Sequence, residues 1–131
     1  MKKYIILAFI LCLFSCSLGF AENQHLFGNY YLTATDVEEQ MSLSYQVSDS
    51  GYAGIIEETV FAVGYNKEYI IAKQHPANKE ITNYYILPIK NGDLPKNEDL
   101  IGPLTQKEFE QKKEELKIKN LDFTIVYKNL E

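Results

Sequence analysis

Two groups of neighbouring carboxylates are the residues whose type best suits acid–base chemistry. Asp36, Glu38 and Glu39 follow the first predicted strand, and Glu57-Glu58 interrupts an apolar stretch. Hydrolysis of a glycosidic bond needs two carboxyl groups that face one substrate, about 5 to 9.5 Å apart. Because successive side chains of a strand point to opposite faces, Glu57 and Glu58 cannot both face one substrate. The carboxylates are nevertheless plentiful enough that a secreted hydrolase with a carboxylate-based site is the alternative function.

Metal and nucleophile chemistry find less support in the sequence. His25 lies near the N-terminus and His75 in a predicted loop, and two lone histidines lack the further ligands of a zinc site. The acidic segment 91–99 lacks calcium-loop spacing, and no serine stands in a nucleophile-elbow motif. Both cysteines precede residue 17, so the remaining chain has no thiol nucleophile. We expect no catalytic residue, no metal site and no cofactor.

Tyrosine is the residue type that most favours a binding function. Nine of the ten tyrosines lie after residue 21, and the chain has no tryptophan. Tyrosine offers a rigid apolar ring with a polar tip, which suits a peptide or glycan partner. The alternative is that these are ordinary strand residues, packed partly in the core. The candidate binding residues are two adjacent pairs, each with one ring on either face of its strand: Tyr30, Tyr31, Tyr84 and Tyr85.

Residues 1–21 have the form of a secretory signal peptide. Lys2 and Lys3 precede an uncharged apolar run, residues 4–14, which is shorter than the roughly 20 residues that a membrane-spanning helix needs. Two cleavage sites remain open. One lies after Ala21, behind the small residues of Gly19-Phe20-Ala21, and the other lies before Cys16.

Cys16 is the candidate site of lipid attachment. Leu13-Phe14-Ser15-Cys16 resembles the bacterial lipobox, in which an aliphatic and a small residue precede a cysteine that is acylated, although Phe14 is bulkier than the usual occupant. Two or more acyl chains give stable anchoring. We expect an exported lipoprotein of the cell envelope, held to the membrane through acyl chains on Cys16. With cleavage after Ala21, the protein would instead be periplasmic or secreted and soluble.

The charge of the predicted mature chain narrows the class of partner. All 13 basic residues are lysine, and loss of Lys2 and Lys3 leaves 11 lysines against 18 acidic residues, a formal charge of −7. An acidic surface without arginine argues against nucleic acid and against electrostatic docking on anionic lipid. The partners expected are an envelope protein, a peptide or a glycan.

The hydrophobic pattern predicts one small α+β domain over residues 22–131. Apolar and polar residues alternate in 40–48, which predicts a strand with one wet face bearing Gln40, Ser42, Ser44 and Gln46. Residues 69–72 are apolar on both faces, as in a central strand. A capping box at 105–108 begins an amphipathic helix of about three turns. The predicted strands are 26–35, 40–48, 55–64, 68–74, 84–89 and 121–127. Short turns between them favour an antiparallel sheet of about five to six strands, with the C-terminal-half helix packed on it.

Three segments in this order resemble a known family. They are YIIAKQ at 69–74, NYYIL at 83–87 and IGPLTQKEFEQKKEEL at 101–116. With the leader, they resemble short bacterial lipoproteins that are catalogued as domain of unknown function 3997. The resemblance spans roughly residues 60–116 and implies an exported lipoprotein without adding an activity. The segment 91–99 is an addition to the pattern of the family.

Our first interpretation is a non-enzymatic envelope lipoprotein that binds a protein, peptide or glycan partner through its sheet. A purely structural envelope component is a further alternative, beside the secreted hydrolase.

Overall fold

The part of the chain that the structure describes forms two antiparallel sheets and one α-helix. The computed structural model describes residues 22–77 and 80–131. The first sheet has the spatial order β1-β2-β3-β4, and the second has the order β8-β7-β6-β5-β9. The first comprises β1 (Glu22–Phe27), β2 (Tyr30–Ala34), β3 (Ser42–Gln46) and β4 (Tyr52–Ile56). The second comprises β5 (Val60–Tyr65), β6 (Tyr69–Gln74), β7 (Asn83–Pro88), β8 (Ile101–Leu104) and β9 (Ile125–Val126). Helix α1 spans Gln106–Glu115, and short 3-10 helices span Glu38–Gln40 and Asn97–Asp99.

The predicted signal peptide, with Cys16, lies outside the described residues. Its cleavage and acylation therefore stay predictions. Within residues 22–77 and 80–131, no helix is long and apolar enough to cross a membrane.

Two hydrophobic cores hold three layers together. The core between the two sheets includes Leu32 and Leu43 from the first sheet and Ile70 and Leu87 from the second. The core on the other face of the second sheet includes Ile71, Ile86 and, from α1, Phe109. Since successive residues of β6 alternate between these cores, the second sheet is covered on both faces. Among the described residues, the first sheet packs against the second through one face, and its outer face carries the more polar side chains.

The predicted fold class is confirmed, but the strands divide differently from the prediction. The fold is α+β, the strands are antiparallel, and the helix lies in the C-terminal half. The segment 69–72 belongs to the central strand of its sheet, as predicted. The described residues form nine strands in two sheets, where the sequence predicted one sheet of about five to six strands.

Two predicted strands each proved to be two strands. Residues 26–35 form the end of β1 and the whole of β2, joined at Gly28, whose φ of 52° is costly for other residue types. Residues 55–64 span the end of β4 and most of β5, which lie in different sheets. Glu57 and Glu58 are exposed where the chain crosses from one sheet to the other. The interruption seen in the sequence is thus the crossing point.

Two glycines allow close packing within the second sheet. A Cβ atom at Gly64 would lie 2.0 Å from the carbonyl oxygen of Asp122. A Cβ at Gly102, whose φ is 141°, would lie 2.5 Å from Cδ1 of Tyr85. Gly102, in the family-like segment 101–116, therefore lets β8 lie directly against β7.

Candidate functional site

An open groove of about 460 Å³ runs over the outer face of the first sheet. Most of its lining residues carry a hydroxyl group, and these are Thr33, Thr35, Ser42, Ser44, Ser50 and Tyr52. Gln40, Gly54 and Glu58 complete the lining. The outer face of the first sheet therefore presents a row of side-chain hydroxyls to the groove.

The alternation of β2 and β3 builds this surface. Leu32 pairs with Leu43 and points into the core, while Thr33 and Ser42, the next pair, point outward. The outward residues are small, so the sheet floor remains open. At Gly54 an added Cβ would meet no atom within 4 Å. The groove is therefore a consequence of small polar residues on one face of three adjacent strands.

A buried hydroxyl pair forms part of the groove floor. Oγ1 of Thr33 and Oγ of Ser44 lie 2.9 Å apart, and both residues are buried. Within such a pair one hydroxyl donates, and the other keeps its own proton for a further acceptor. The floor can therefore both donate to a ligand and accept from it.

Two tyrosine rings lie at one part of the groove, because Tyr31 packs against the lining residue Tyr52. Tyr31 and Tyr52 meet edge to face with ring centroids 5.3 Å apart, and the ring of His25 lies 4.7 Å from that of Tyr31. The Tyr52 hydroxyl accepts a hydrogen bond from Nδ2 of Asn23 at 3.2 Å. These contacts hold both rings in place next to the polar row.

The structure does not bring the four candidate tyrosines together. Tyr30 and Tyr85 are buried between the sheets, and Tyr84 lies under α1 with its ring 5.0 Å from that of Phe109. Tyr31 alone of the four lies on the outer face of the first sheet. The binding role predicted for these residues stays a prediction. Of the four, Tyr31 lies nearest to the groove, through its contact with the lining residue Tyr52.

Sequence reasoning missed Tyr52 and Glu58 as groove residues. Tyr52 follows a turn and was assigned to no strand, although the wet face predicted for 40–48 correctly indicated Gln40, Ser42 and Ser44. The signal that could have found Tyr52 is the pairing of β4 beside β3, which places Tyr52 opposite Gln46. That pairing depends on the turn between the strands.

The carboxylates and histidines named in the sequence are dispersed. Glu58 lines the groove, whereas Glu57 lines a separate cleft with Gln74. His75 is buried, stacks on Phe61 and hydrogen-bonds the carbonyl oxygen of Ile81 through Nδ1. Across the described part of the chain, no three His, Cys, Asp or Glu residues are grouped so as to hold a metal ion.

Comparison with known families gives one result. A family model described as protein of unknown function (DUF3997) matches residues 27–127, from the last residue of β1 to just beyond β9. No curated protein and no solved structure matches the chain. Because the match covers well over half of its residues, the chain belongs to the family of proteins of unknown function DUF3997.

Proposed function

We propose that the protein is an exported, lipid-anchored component of the bacterial cell envelope that binds a glycan in the groove of the first sheet. The observation that carries the proposal is the row of side-chain hydroxyls beside Tyr31 and Tyr52. Sugar hydroxyls donate and accept hydrogen bonds, as the side-chain hydroxyls of the groove also do. A tyrosine ring adds a rigid apolar surface for the C–H face of a sugar ring.

Binding without hydrolysis is favoured by the distribution of carboxylates. In the groove lining that the structure describes, Glu58 is the one carboxylate. Glycoside hydrolysis by the common mechanism needs two carboxyl groups around one bond. The nearest neighbour in sequence, Glu57, lines a different cleft. A hydrolase remains the alternative. Analysis of the saccharides after the binding experiment described below distinguishes a hydrolase, which shortens them, from a binding protein, which does not.

The anchor is supported by the sequence of the leader. A basic start, a short apolar run and the lipobox-like Leu13-Phe14-Ser15-Cys16 follow one another in the order of a lipoprotein signal peptide. Acyl chains on Cys16 would hold the protein at the membrane despite an acidic chain that anionic lipid repels.

The groove is tested by filling it. Gly54→Val places a branched side chain in open space on a strand, where such residues are well tolerated. Calorimetric titration with soluble glycan-strand fragments and chito-oligosaccharides should show binding by the wild type and about a tenfold or greater loss in the variant, equivalent to about 1.4 kcal/mol. The unfolding midpoint should remain unchanged. Glu114→Gln, on the exposed side of α1, is the matched control and should bind as the wild type does.

Three outcomes contradict the proposal that the groove binds a glycan without hydrolysing it. Equal binding by the Gly54→Val variant would place the saccharide elsewhere. Binding of extended peptides with no binding of saccharides would assign the groove to a protein partner. Release of shortened saccharides would establish the hydrolase.

The anchor is tested separately by the intact mass of membrane-purified protein, compared with that of a Cys16→Ala variant. Acyl mass on a chain that begins at Cys16 would show tethering, whereas a chain that begins at Glu22 without added mass would show cleavage after Ala21.

A further inference from the structure

A second cleft, of about 240 Å³, opens where the β1–β2 turn meets the segment after β7. The rings of Phe27, Tyr30 and Tyr45 line it from the first sheet, and Ile89 and Lys90 line it from the segment after β7. None of these residues lines the hydroxyl groove. The two sites therefore lie in different parts of the fold.

The hydroxyl of Tyr30 is the unusual group of this cleft. Tyr30 is 4% exposed, less than 1 Å² of its hydroxyl oxygen is accessible, and the hydroxyl has no hydrogen-bond partner among the described residues. The adjacent Tyr45 hydroxyl accepts from Nδ2 of Asn29 at 3.2 Å. Buried hydroxyls in folded proteins are nearly always hydrogen-bonded, so an unpaired one needs an explanation.

The Tyr30 hydroxyl is available as a donor. Burial, and then the neighbouring Tyr45 and Asp99, raise the pKa of Tyr30 above its usual value, so the hydroxyl keeps its proton at neutral pH. The ammonium group of Lys90 lies 2.5 Å from Oδ1 of Asp99, which neutralises the one cation on the cleft lining. A neutral acceptor suits this arrangement better than an anion.

We infer that the cleft binds a small neutral ligand that has an aromatic or apolar body and one carbonyl oxygen, which accepts a hydrogen bond from the Tyr30 hydroxyl. The body packs between rings whose geometry is set by their neighbours: Phe27 lies 5.1 Å from Tyr30, and Tyr45 meets Tyr30 edge to face at 5.1 Å. Because the hydroxyl oxygen is enclosed, the inference requires the lining side chains to move far enough for the carbonyl to reach it. This inference is independent of glycan binding in the groove.

The test uses two probes of nearly the same shape, acetophenone and ethylbenzene, which differ in the carbonyl oxygen. Each is titrated into the purified, processed protein, and backbone amide shifts are followed by NMR. Acetophenone should shift the amides of Gly28, Asn29 and Gly92 and bind about tenfold more tightly than ethylbenzene, the ratio expected from one hydrogen bond. Tyr30→Phe should abolish this preference and raise the unfolding midpoint of the free protein, because it removes an unpaired buried hydroxyl. Tyr31→Phe, on the outer face, should keep the preference.

The opposite results overturn the inference. Absence of shifts at those amides with both probes would show that the cleft admits no such ligand. An equal preference in wild type and Tyr30→Phe would show that the hydroxyl takes no part. A lowered unfolding midpoint in Tyr30→Phe would show that the hydroxyl is already bonded in the free protein, for example to an ordered water. The Gly54→Val variant should behave as the wild type here, which separates this test from that of the groove.

Discussion

The hydroxyl of Tyr127 donates to Oε1 of Gln24 at 2.5 Å, and so joins residues 103 positions apart. Gln24 belongs to β1, an edge strand of the first sheet, and Tyr127 follows β9, an edge strand of the second. A second link has the same direction, since the Tyr65 hydroxyl donates to the carbonyl oxygen of Leu26 at 3.3 Å. The hydroxyls of Tyr127 and Tyr65 therefore connect the edge strand of the first sheet to the region of β9 and β5.

Loss of the Tyr127 hydroxyl should weaken this edge. We expect Tyr127→Phe to lower the free energy of unfolding by about 1 kcal/mol, the usual net value of one such hydrogen bond. Urea unfolding measures the change. Gln24→Met and the double variant complete a cycle, and the two single effects should not add, because each removes the same bond. Additive effects would mean that the two side chains do not interact in solution.

The sequence predicted which residues face a core better than it predicted which sheet they join. Met41, Leu43 and Tyr45 alternate inward as expected, whereas Val47, on the same side of the pattern, is 56% exposed because β3 ends at Gln46. An apolar pattern records burial but not the identity of the covering layer. The same limit applies to Tyr84. Its side chain points away from the core between the sheets, but it packs against Phe109 of α1 and does not face solvent.

The groove could be predicted only in part for a related reason. Ser42 and Ser44 follow from local alternation, whereas Glu58 reaches the groove from the segment where the chain changes sheets. A register shift between Leu43 and Ser44 also sets how β4 lies beside β3. Such shifts depend on the geometry of both strands together, which no local window of sequence contains.

Gly64 should tolerate no side chain. The Cβ of an alanine would lie 2.0 Å from the backbone oxygen of Asp122, and moving that segment would strain the bond from the Thr124 amide to the Val63 carbonyl oxygen, 3.1 Å long. We expect Gly64→Ala to destabilise the protein by about 3 kcal/mol, the upper part of the range for overpacking. Thermal and urea unfolding measure it.

Gly54→Ala is the matched control for that substitution. It places the same methyl group on a strand with no atom within 4 Å, and should be neutral or stabilising by about 0.5 kcal/mol, since alanine restricts the unfolded chain more than glycine does. Equal effects at both positions would contradict the close approach of Asp122 to β5.

The hydroxyl pair of the groove floor should show strong coupling. Removal of one partner, by Thr33→Val or Ser44→Ala, leaves the other hydroxyl buried and unpaired, which should cost about 1–3 kcal/mol. The double variant should cost less than the two single costs added together, because no unpaired group remains. A double cost equal to that sum would mean that water already satisfies each hydroxyl separately.

The capping box at the start of α1 should make helix stability depend on acid pH. The Thr105 amide and the Thr105 hydroxyl donate to Oε2 of Glu108 at 2.8 Å and 3.0 Å, and the Glu108 amide donates back to Oγ1 of Thr105. The two bonds that the carboxylate accepts, from the backbone amide first and the hydroxyl second, lower the pKa of Glu108 below its usual value. Their contribution is present above pH 4.5 and is lost as the pH falls through the folded-state pKa.

Substitutions at the capping box separate its two halves. Thr105→Ala should cost about 1 kcal/mol at neutral pH, the usual loss for an N-cap. Glu108→Gln should remove the decline in stability on acidification that this group causes, while Glu114→Gln, an exposed residue of the same helix, should retain it. Unfolding midpoints measured between neutral and acid pH test both statements. A wild-type pH profile in Glu108→Gln would assign the decline to other carboxylates.

Four tyrosines should keep their protons to a higher pH in the folded protein than in the unfolded chain. Burial is the first cause that raises the pKa of each, and they are Tyr30, Tyr84, Tyr85 and Tyr127. The unfolded chain ionises these groups near pH 10.0, whereas the folded chain does so only above it. Their contribution to stability is therefore complete below pH 10 and falls as the pH rises through the folded-state values. Ultraviolet titration of tyrosinate in the folded protein should show four groups that ionise later than they do in the unfolded chain, and Tyr84→Phe should remove one of them. Ionisation of these four groups at the unfolded value, under conditions where the protein stays folded, would contradict their burial.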